Sequence, residues 1–397
     1  MKIKEQISLI DDCIASKSKL SEVLKAKKMS YDDLRYISQS TPQHFDPIET
    51  IDNVEKFFDG IPAISFFSGA GGLDIGFSYA GFNNIASIEF EPLFCKTLRQ
   101  NWPDKLVIGP PDYSGNVKNH EEIASVIREK LNVQSDFNGV FHGGPPCQPF
   151  SIASNQRFNK NGENFKRKGF EDPEKGNLLF DYLWFIKEFR PQGFLIENVS
   201  GLIELDGDDK VSKALTELAN FGYAISTPKV LNAAYFGVPQ NRNRCIILGV
   251  RGNIKPVLPE PSESPTPCGS VFDKSLQDVK NHITREHSAE SVKKYMALSY
   301  GERDQLGRVD RLDPSKPSKT VIAGGTKGGG RSHLHPYYPR TISVRECARI
   351  QTFPEEYDFL GPVARQFTQV GNAVPPLFAY KLAKALKQAL FDNGYTY

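Results

Sequence analysis

Short apolar runs separated by amphipathic stretches set in at Ala63 and persist to Val250, an alternation that predicts a parallel sheet wound with helices. The runs at 63–67, 85–88, 139–141, 193–196 and 245–250 read as strands. Apolar residues at helical spacing predict helices over 73–80, 121–131, 178–189 and 211–221. The expected fold class is α/β, a doubly wound and mostly parallel sheet. Before residue 60 the chain is polar, with helical patterning in Ile7, Ile10 and Ile14 and again in Leu20, Val23 and Leu24. This stretch resembles the start of a helix-turn-helix, but Thr41-Pro42 cuts the pattern short, so a plain helical arm is expected. From 256 to 339 periodicity gives way to Pro, Gly, Ser and basic residues, as in PEPSESPTP and AGGTKGGGRS, and a small irregular second domain is expected. Helical patterning returns after Ile342 and ends with Leu382, Leu386 and Leu390 on one stripe. The division expected is a helical extension over 1–60, a main domain over 61–250, an irregular domain over 251–340 and a return to the main domain over 341–397.

Composition narrows this picture without redirecting it. The 397 residues are 39% hydrophobic and 24% charged, ordinary values for a soluble globular chain. No apolar run reaches the ~18 residues of a membrane span, and acidic residues interrupt the first stretch where a signal peptide would be apolar. A cytoplasmic protein with no membrane association is expected. A net charge of +2 does not by itself indicate nucleic acid, but residues 251–340 hold 15 Lys/Arg against 10 Asp/Glu and four of the seven histidines. Six cysteines lie scattered with no C-x-x-C pair, so neither a zinc site nor a disulfide framework is signalled and no metal is expected.

Three strand ends carry candidate chemistry. The first run leads into Phe67-Ser68-Gly69-Ala70-Gly71-Gly72 and then a helix beginning near Leu73; such glycines let backbone amides approach a ligand, although an ordinary turn would use them too. Glu89 closes the second run, about where an acid binds ribose hydroxyls in mononucleotide-binding folds. A nucleoside is therefore expected. The glycine spacing disfavours a nicotinamide, and the lack of a following Lys-Ser/Thr disfavours ATP. Further on, Gly143-Gly144-Pro145-Pro146-Cys147-Gln148 sets a thiol on a stiff loop at the carboxyl edge of the sheet. An isolated cysteine is most often an inert buried residue; here the small and rigid neighbours leave little bulk to bury it. Glu197 and Asn198 end the run GFLI, a place equally suited to a solvated carboxylate. Gln240, Arg242 and Arg244 would share one face of an extended chain, forming a fork of donors if they are not simply solvated.

Taken together, six segments resemble, in order, the motifs of DNA cytosine-5 methyltransferases. They are Phe67-Ser68-Gly69-Ala70-Gly71-Gly72-Leu73, Pro145-Pro146-Cys147-Gln148, Glu197-Asn198-Val199, Gln240-x-Arg242-x-Arg244, the stretch from Arg345-Glu346 to Phe353-Pro354, and Gln369-x-Gly371-Asn372-Ala373-Val374. The resemblance spans about 63 to 390 and implies the class I S-adenosylmethionine-dependent methyltransferase fold, with the basic segment as target-recognition domain. It implies S-adenosylmethionine as methyl donor and double-stranded DNA as substrate. By it, Cys147 attacks C6 of cytosine, Glu197 holds or protonates N3, Asn198 positions Glu197, and Arg242 and Arg244 contact the base and its flanking phosphate. Phe67 flanks the adenine, Glu89 takes the ribose hydroxyls, and Ser68, Gly69, Gly71, Gly72, Leu73, Gly144, Leu178, Asn372 and Val374 complete the cofactor pocket.

The chain departs from the pattern twice. Ser65-Phe66 stands where the family often has an Asp, and Gly115-Asn116-Val117 replaces a usual Gly-Asp-Ile. The adenine amino contact then falls to Asn116, whose carbonyl oxygen can still accept. The resemblance further implies a monomer serving a restriction-modification system, with a cognate endonuclease as functional partner. The basic stretch 151–175 is a candidate loop for closing over DNA, and 320–321 with 326–331 are candidates for reaching base edges. Rival readings are an RNA substrate, against which the long basic segment argues, and a catalytically silent relative, against which Cys147, Glu197 and Arg244 argue.

Overall fold

The computed structural model describes residues 1–38, 45–146, 178–204, 209–272, 279–304, 309–323 and 333–396. Cys147, the basic stretch 151–175 and the candidate base-reading segment 326–331 lie outside the described residues. The chain forms two compact units: one of Ile51–Phe236, Arg242–Ser262 and Ala373–Tyr397, the other of Met1–Thr50, Gly237–Asn241 and Glu263–Asn372.

The first unit is built on a sheet whose strands are β1 (Phe57–Phe66), β2 (Ala80–Ile88), β3 (Leu106–Ile108), β4 (Val140–Gly143), β5 (Gly193–Val199), β6 (Tyr223–Ile225), β7 (Lys229–Asn232) and β8 (Asn243–Arg251). Their order is β3-β2-β1-β4-β5-β8-β6, with β7 also paired to β8. The first five strands of that order run parallel, and β8 is antiparallel to β5, β6 and β7. The expected doubly wound, mostly parallel sheet is found. Alternation along β1 shows how the layers are assigned. Ile64 and Phe66 enter a large apolar core with Ile123 and Ile127 of the helix His120–Leu131 and Tyr182 and Phe185 of the helix Leu178–Phe189. Phe66 lies 5.0 Å from the rings of Phe141 and Tyr182 and 5.1 Å from Phe185; each such full burial contributes about 1.5–3 kcal/mol. Ser65, between them, turns to the opposite layer.

That opposite layer is made by the helices Gly72–Tyr79 and Pro376–Asp392. Leu382, Leu386 and Leu390 are all buried, as the stripe predicts. The two helices approach so closely that a Cβ on Gly76 would lie 2.5 Å from that of Ala379.

The second unit differs from the expected division. Residues 1–50 and 341–372 belong with the segment from 263, and only 373–397 return to the sheet. The helices Ile3–Ser16 and Leu20–Ala26 bury Ile10, Cys13, Leu20 and Leu24 against Ala289, Val292 and Met296 of the helix Ala289–Met296. Buried charge explains why the segment after 340 stays there too. Arg340 makes a two-pronged pair with Glu346, both bonds 2.8 Å, and also pairs with Asp32. The expected helical arm is present, and between Ala26 and Leu34 only the 3-10 turn Tyr31–Asp33 follows it.

Candidate active site

β1 ends at Phe66, and the chain turns sharply into the helix Gly72–Tyr79. Phe67, Gly69 and Gly71 have φ of +54°, +56° and +76°, left-handed values that cost a residue bearing a Cβ and not glycine. The turn is pinned where Ser68 N donates to Ile88 O at 3.1 Å and Gly71 N to Ser68 O at 2.8 Å. Two glycines are needed for packing: a Cβ on Gly71 would lie 2.6 Å from the Trp102 ring, and one on Gly72 2.1 Å from the Val374 carbonyl oxygen. At Gly69 nothing stands closer than 3.9 Å, so that face of the turn is open. Leu73 is buried in the first turn of the helix.

Glu89 follows β2 and reaches back to this turn. Its Oε2 accepts from Gly69 N and its Oε1 from Glu91 N, both at 2.7 Å. Burial pushes the carboxyl up to about 6, against the pull of the Glu91 and Gly69 amides. Phe90, which sequence reasoning passed over, stands next to it with 63% of its surface exposed; an aromatic following the acid at a strand end was the available signal. Phe67 is half-buried, edge-on to Tyr182 at 6.2 Å. Asn116 sits in the loop after β3, its Oδ1 accepting from Lys118 N at 3.2 Å, which leaves room for a second donor. Leu178 is buried in the core. An open glycine turn, a buried acceptor for hydroxyls and aromatic faces suit a nucleoside.

Beneath the turn lies a polar network that local patterning could not reveal. Asp74 is fully buried and accepts from Ser65 Oγ at 2.9 Å, Ser87 Oγ at 2.6 Å and Lys105 Nζ at 2.6 Å. Ser68 Oγ donates on to Ser65 Oγ at 2.9 Å. Burial alone would raise the Asp74 carboxyl, but Lys105 holds it below its ordinary value. The buried acid that Ser65 lacks is thus supplied from Asp74 on the helix. His142 of β4 lies nearby, stacked on Phe77 at 4.0 Å and bonded through Nε2 to Asn84 Oδ1 at 2.7 Å. Burial drives it down to about 4, so it is neutral.

The third strand end brings the acid and base groups together. β5 pairs antiparallel with β8 so that Val199 faces Arg244 and Asn198 faces Cys245. Glu197 is 7% exposed, with Oε1 2.7 Å from Arg244 Nε. That contact is an ion pair without hydrogen-bond geometry, so a buried carboxylate oxygen keeps unused accepting capacity. A Cβ on Gly144 would fall 2.7 Å from Glu197 Oε2; this glycine admits the carboxylate. Asn198 Nδ2 donates to Pro145 O at 3.4 Å, tying the segment after β4 to the end of β5. Cys147 follows two residues later, outside the described residues. The five other cysteines are all buried, and burial pushes the thiols of Cys95, Cys245 and Cys268 up to about 12.

The expected fork of donors does not form. Gln240 belongs to the other unit and is fully buried, its Nε2 on Gln351 Oε1 at 2.7 Å and its Oε1 on Val321 N at 2.9 Å. β8 begins only at Asn243, so strand alternation does not extend back to Gln240. Arg242 is 1% exposed, and its backbone N donates to Asn232 Oδ1 at 3.0 Å. Asn372 is exposed at the end of the helix Val363–Asn372 in the other unit, whereas Val374 is in the sheet unit. Of the catalytic residues expected, the structure brings Glu197, Asn198 and Arg244 together.

Residues 61–388 match the model of C-5 cytosine-specific DNA methylases. The type II methyltransferase M.PspPI of Psychrobacter sp. (strain TA137) is 33% identical over 355 residues, covering 82% of this chain and 79% of the relative. M1.HphI of Haemophilus parahaemolyticus, also a type II methyltransferase, is 32% identical, covering 81% and 86%. Among solved structures, a chain described as a DNA modification methyltransferase encoded within an E. coli prophage superposes with a TM-score of 0.66 at 23% identity, over 84% of this chain and 100% of that one. Methyltransferase EhMeth of Entamoeba histolytica gives 0.59 at 19%, over 83% and 99%. These two share the fold. On the match of 61–388 and the identity to type II methyltransferases, the chain belongs to the C-5 cytosine-specific DNA methylase family and is a DNA cytosine-5 methyltransferase.

Proposed function

We propose that this enzyme methylates C5 of a cytosine within a specific duplex DNA sequence, using S-adenosylmethionine, base flipping and a covalent bond from Cys147 to C6. The observation that carries the reading is the Glu197–Arg244 pair, whose carboxylate keeps unused accepting capacity beside Gly144, three residues before Cys147 in the chain.

The target carbon is inaccessible in stacked DNA, so the base must be everted at roughly a few kcal/mol. The cofactor supplies an electrophilic methyl group carried on a sulfonium. Cys147, as thiolate, adds to C6 and makes C5 electron-rich enough to take that methyl. Glu197 holds or protonates ring N3, relieving charge as the adduct forms, and Arg244 orients Glu197 and contacts the base. Asn198 fixes the loop that carries Cys147; Arg242 supports the same strand end and its flanking phosphate contact. Loss of the C5 proton then expels the thiolate and restores the ring. Glu89 accepts the ribose hydroxyls, Phe67 flanks the adenine, Asn116 takes its amino group, and Ser68, Gly69, Gly71, Gly72, Leu73, Gly144, Leu178, Asn372 and Val374 shape the pocket. Residues of the second unit read the target, and a monomer in the cytoplasm protects host DNA against a cognate endonuclease. No described helix is long and apolar enough to cross a membrane.

Labelled methyl groups should pass to duplex DNA containing the target and not to transfer RNA, with bisulfite sequencing locating the modified cytosine. Transfer to transfer RNA alone would replace DNA by RNA as the substrate.

A further inference from the structure

The first 38 residues lie outside the segment that matches the family, which begins at residue 61, yet they are built into the unit that holds residues 263–372. Gln6 exchanges two hydrogen bonds with the Arg35 backbone, at 2.7 and 2.9 Å. Tyr36 donates to His335 O at 2.8 Å and lies under the Arg311 guanidinium at 3.6 Å. The arm is therefore held firmly in that unit.

Residues 1–38 carry eight Lys/Arg and six Asp/Glu, and the acids are largely occupied: Asp11 pairs with Lys293, Glu22 with Lys19 and Asp32 with Arg340, while Glu5 and Asp33 cap backbone amides. Lys17, Lys25, Lys27 and Lys28 are exposed and make no ion pair among the described residues. Lys17 and Lys28 also occupy φ of +56° and +58°, each just beyond the end of a helix. Glycine is the favoured residue in that conformation, so each of these lysines stands where the backbone disfavours it. The arm's apolar residues Ile10, Leu20 and Leu24 point into the unit, and of its large apolar side chains only Met1 and Ile37 are exposed, too few for a stripe that enters a membrane.

We propose that these exposed lysines form an accessory DNA-binding surface that contacts phosphates of the duplex without reading its sequence. The proposal rests on duplex DNA being the substrate. Lysine suits the role, a point charge on a flexible stem that needs no fixed geometry.

The test uses the full chain with Lys17→Gly, Lys25→Ala, Lys27→Ala and Lys28→Gly combined, and the pair Lys17→Gly and Lys28→Gly as a control for folding. Duplex affinity is followed by fluorescence anisotropy between about 50 and 200 mM salt. The combined variant should bind about tenfold more weakly, with the slope of log K against log salt reduced by about 2 to 4. The loss should be equal on target and non-target duplexes. The paired glycine variant should lose part of the affinity with its Tm unchanged or raised. A combined variant with the wild-type slope would overturn the proposal, as it would if the surface served an acidic protein or a membrane. Wild-type enzyme that neither binds nor methylates duplex DNA would instead remove the functional reading on which the proposal stands.

Discussion

Among single residues, Glu89 has the environment that makes the sharpest prediction. It is a buried carboxyl raised to about 6 that is proposed to accept hydroxyls of the cofactor, and only its ionised form can accept at both oxygens. Cofactor affinity should therefore strengthen as pH rises through about 6, because the proton must leave before the hydroxyls bind. Calorimetric Kd values from pH 5 to 7.5 check this. Glu89→Gln should bind weakly with no such dependence, and a wild-type Kd independent of pH contradicts the assignment. Glu89 and Glu197 were both legible as acids closing apolar runs. The environment of each was not, since it depends on Gly69, Gly144 and Arg244, which the fold brings in from other strands.

At the scale of elements, the buried pair of Asp74 and Lys105 joins the helix after β1 to the segment before β3. Asp74→Asn should destabilise the enzyme by about 3–5 kcal/mol, because Lys105 is left charged and buried without its partner. Adding Lys105→Met should recover most of that loss. Urea unfolding of both variants checks it, and a double variant no more stable than Asp74→Asn refutes a charge-pair role. Five strands could be read from apolar runs: β1, β2, β4 and β5 lie in the parallel part of the sheet, where strands are buried on both faces, and the antiparallel β8 is buried continuously from Cys245 to Val250. The strands β3 and β6 carry three residues each, and β7 exposes Lys229 and Val230 where the equally short β4 is buried throughout, so no long apolar run marks them. The helix Pro92–Asn101 was also missed, its buried face being limited to Phe94, Cys95, Thr97 and Leu98.

Across the whole molecule, the limits of sequence reading were those of long-range packing. Ile10 and Leu20 show helical spacing, but their partner Val292 is more than 250 residues away, and no local pattern announces it. The same holds for Asp32 and Arg340, whose pairing joins residues 1–50 and 341–372 in one compact unit. Both units carry buried neutral histidines: His142 and His287 are pushed down to about 4 and His335 to about 3, in each case chiefly by burial. The unfolded chain takes up these protons first, so stability should fall as pH drops below about 6.5, by up to about 1.4 kcal/mol per pH unit for each histidine. Glu89 works in the opposite sense between about 6 and 4.5 and is outnumbered. Urea midpoints at pH 7 and 5 test the sign; a higher midpoint at pH 5 contradicts it. The central claim concerns Cys147, and a duplex with 5-fluorocytosine at the target tests it most directly. Fluorine cannot leave C5 as a proton does, so the thiolate is not expelled. In the presence of S-adenosylmethionine the wild-type enzyme should form a denaturation-resistant adduct whose linkage maps to Cys147 by peptide mass spectrometry, and Cys147→Ser should form none. No adduct with the wild type, or an equally stable one with Cys147→Ser, would contradict the mechanism.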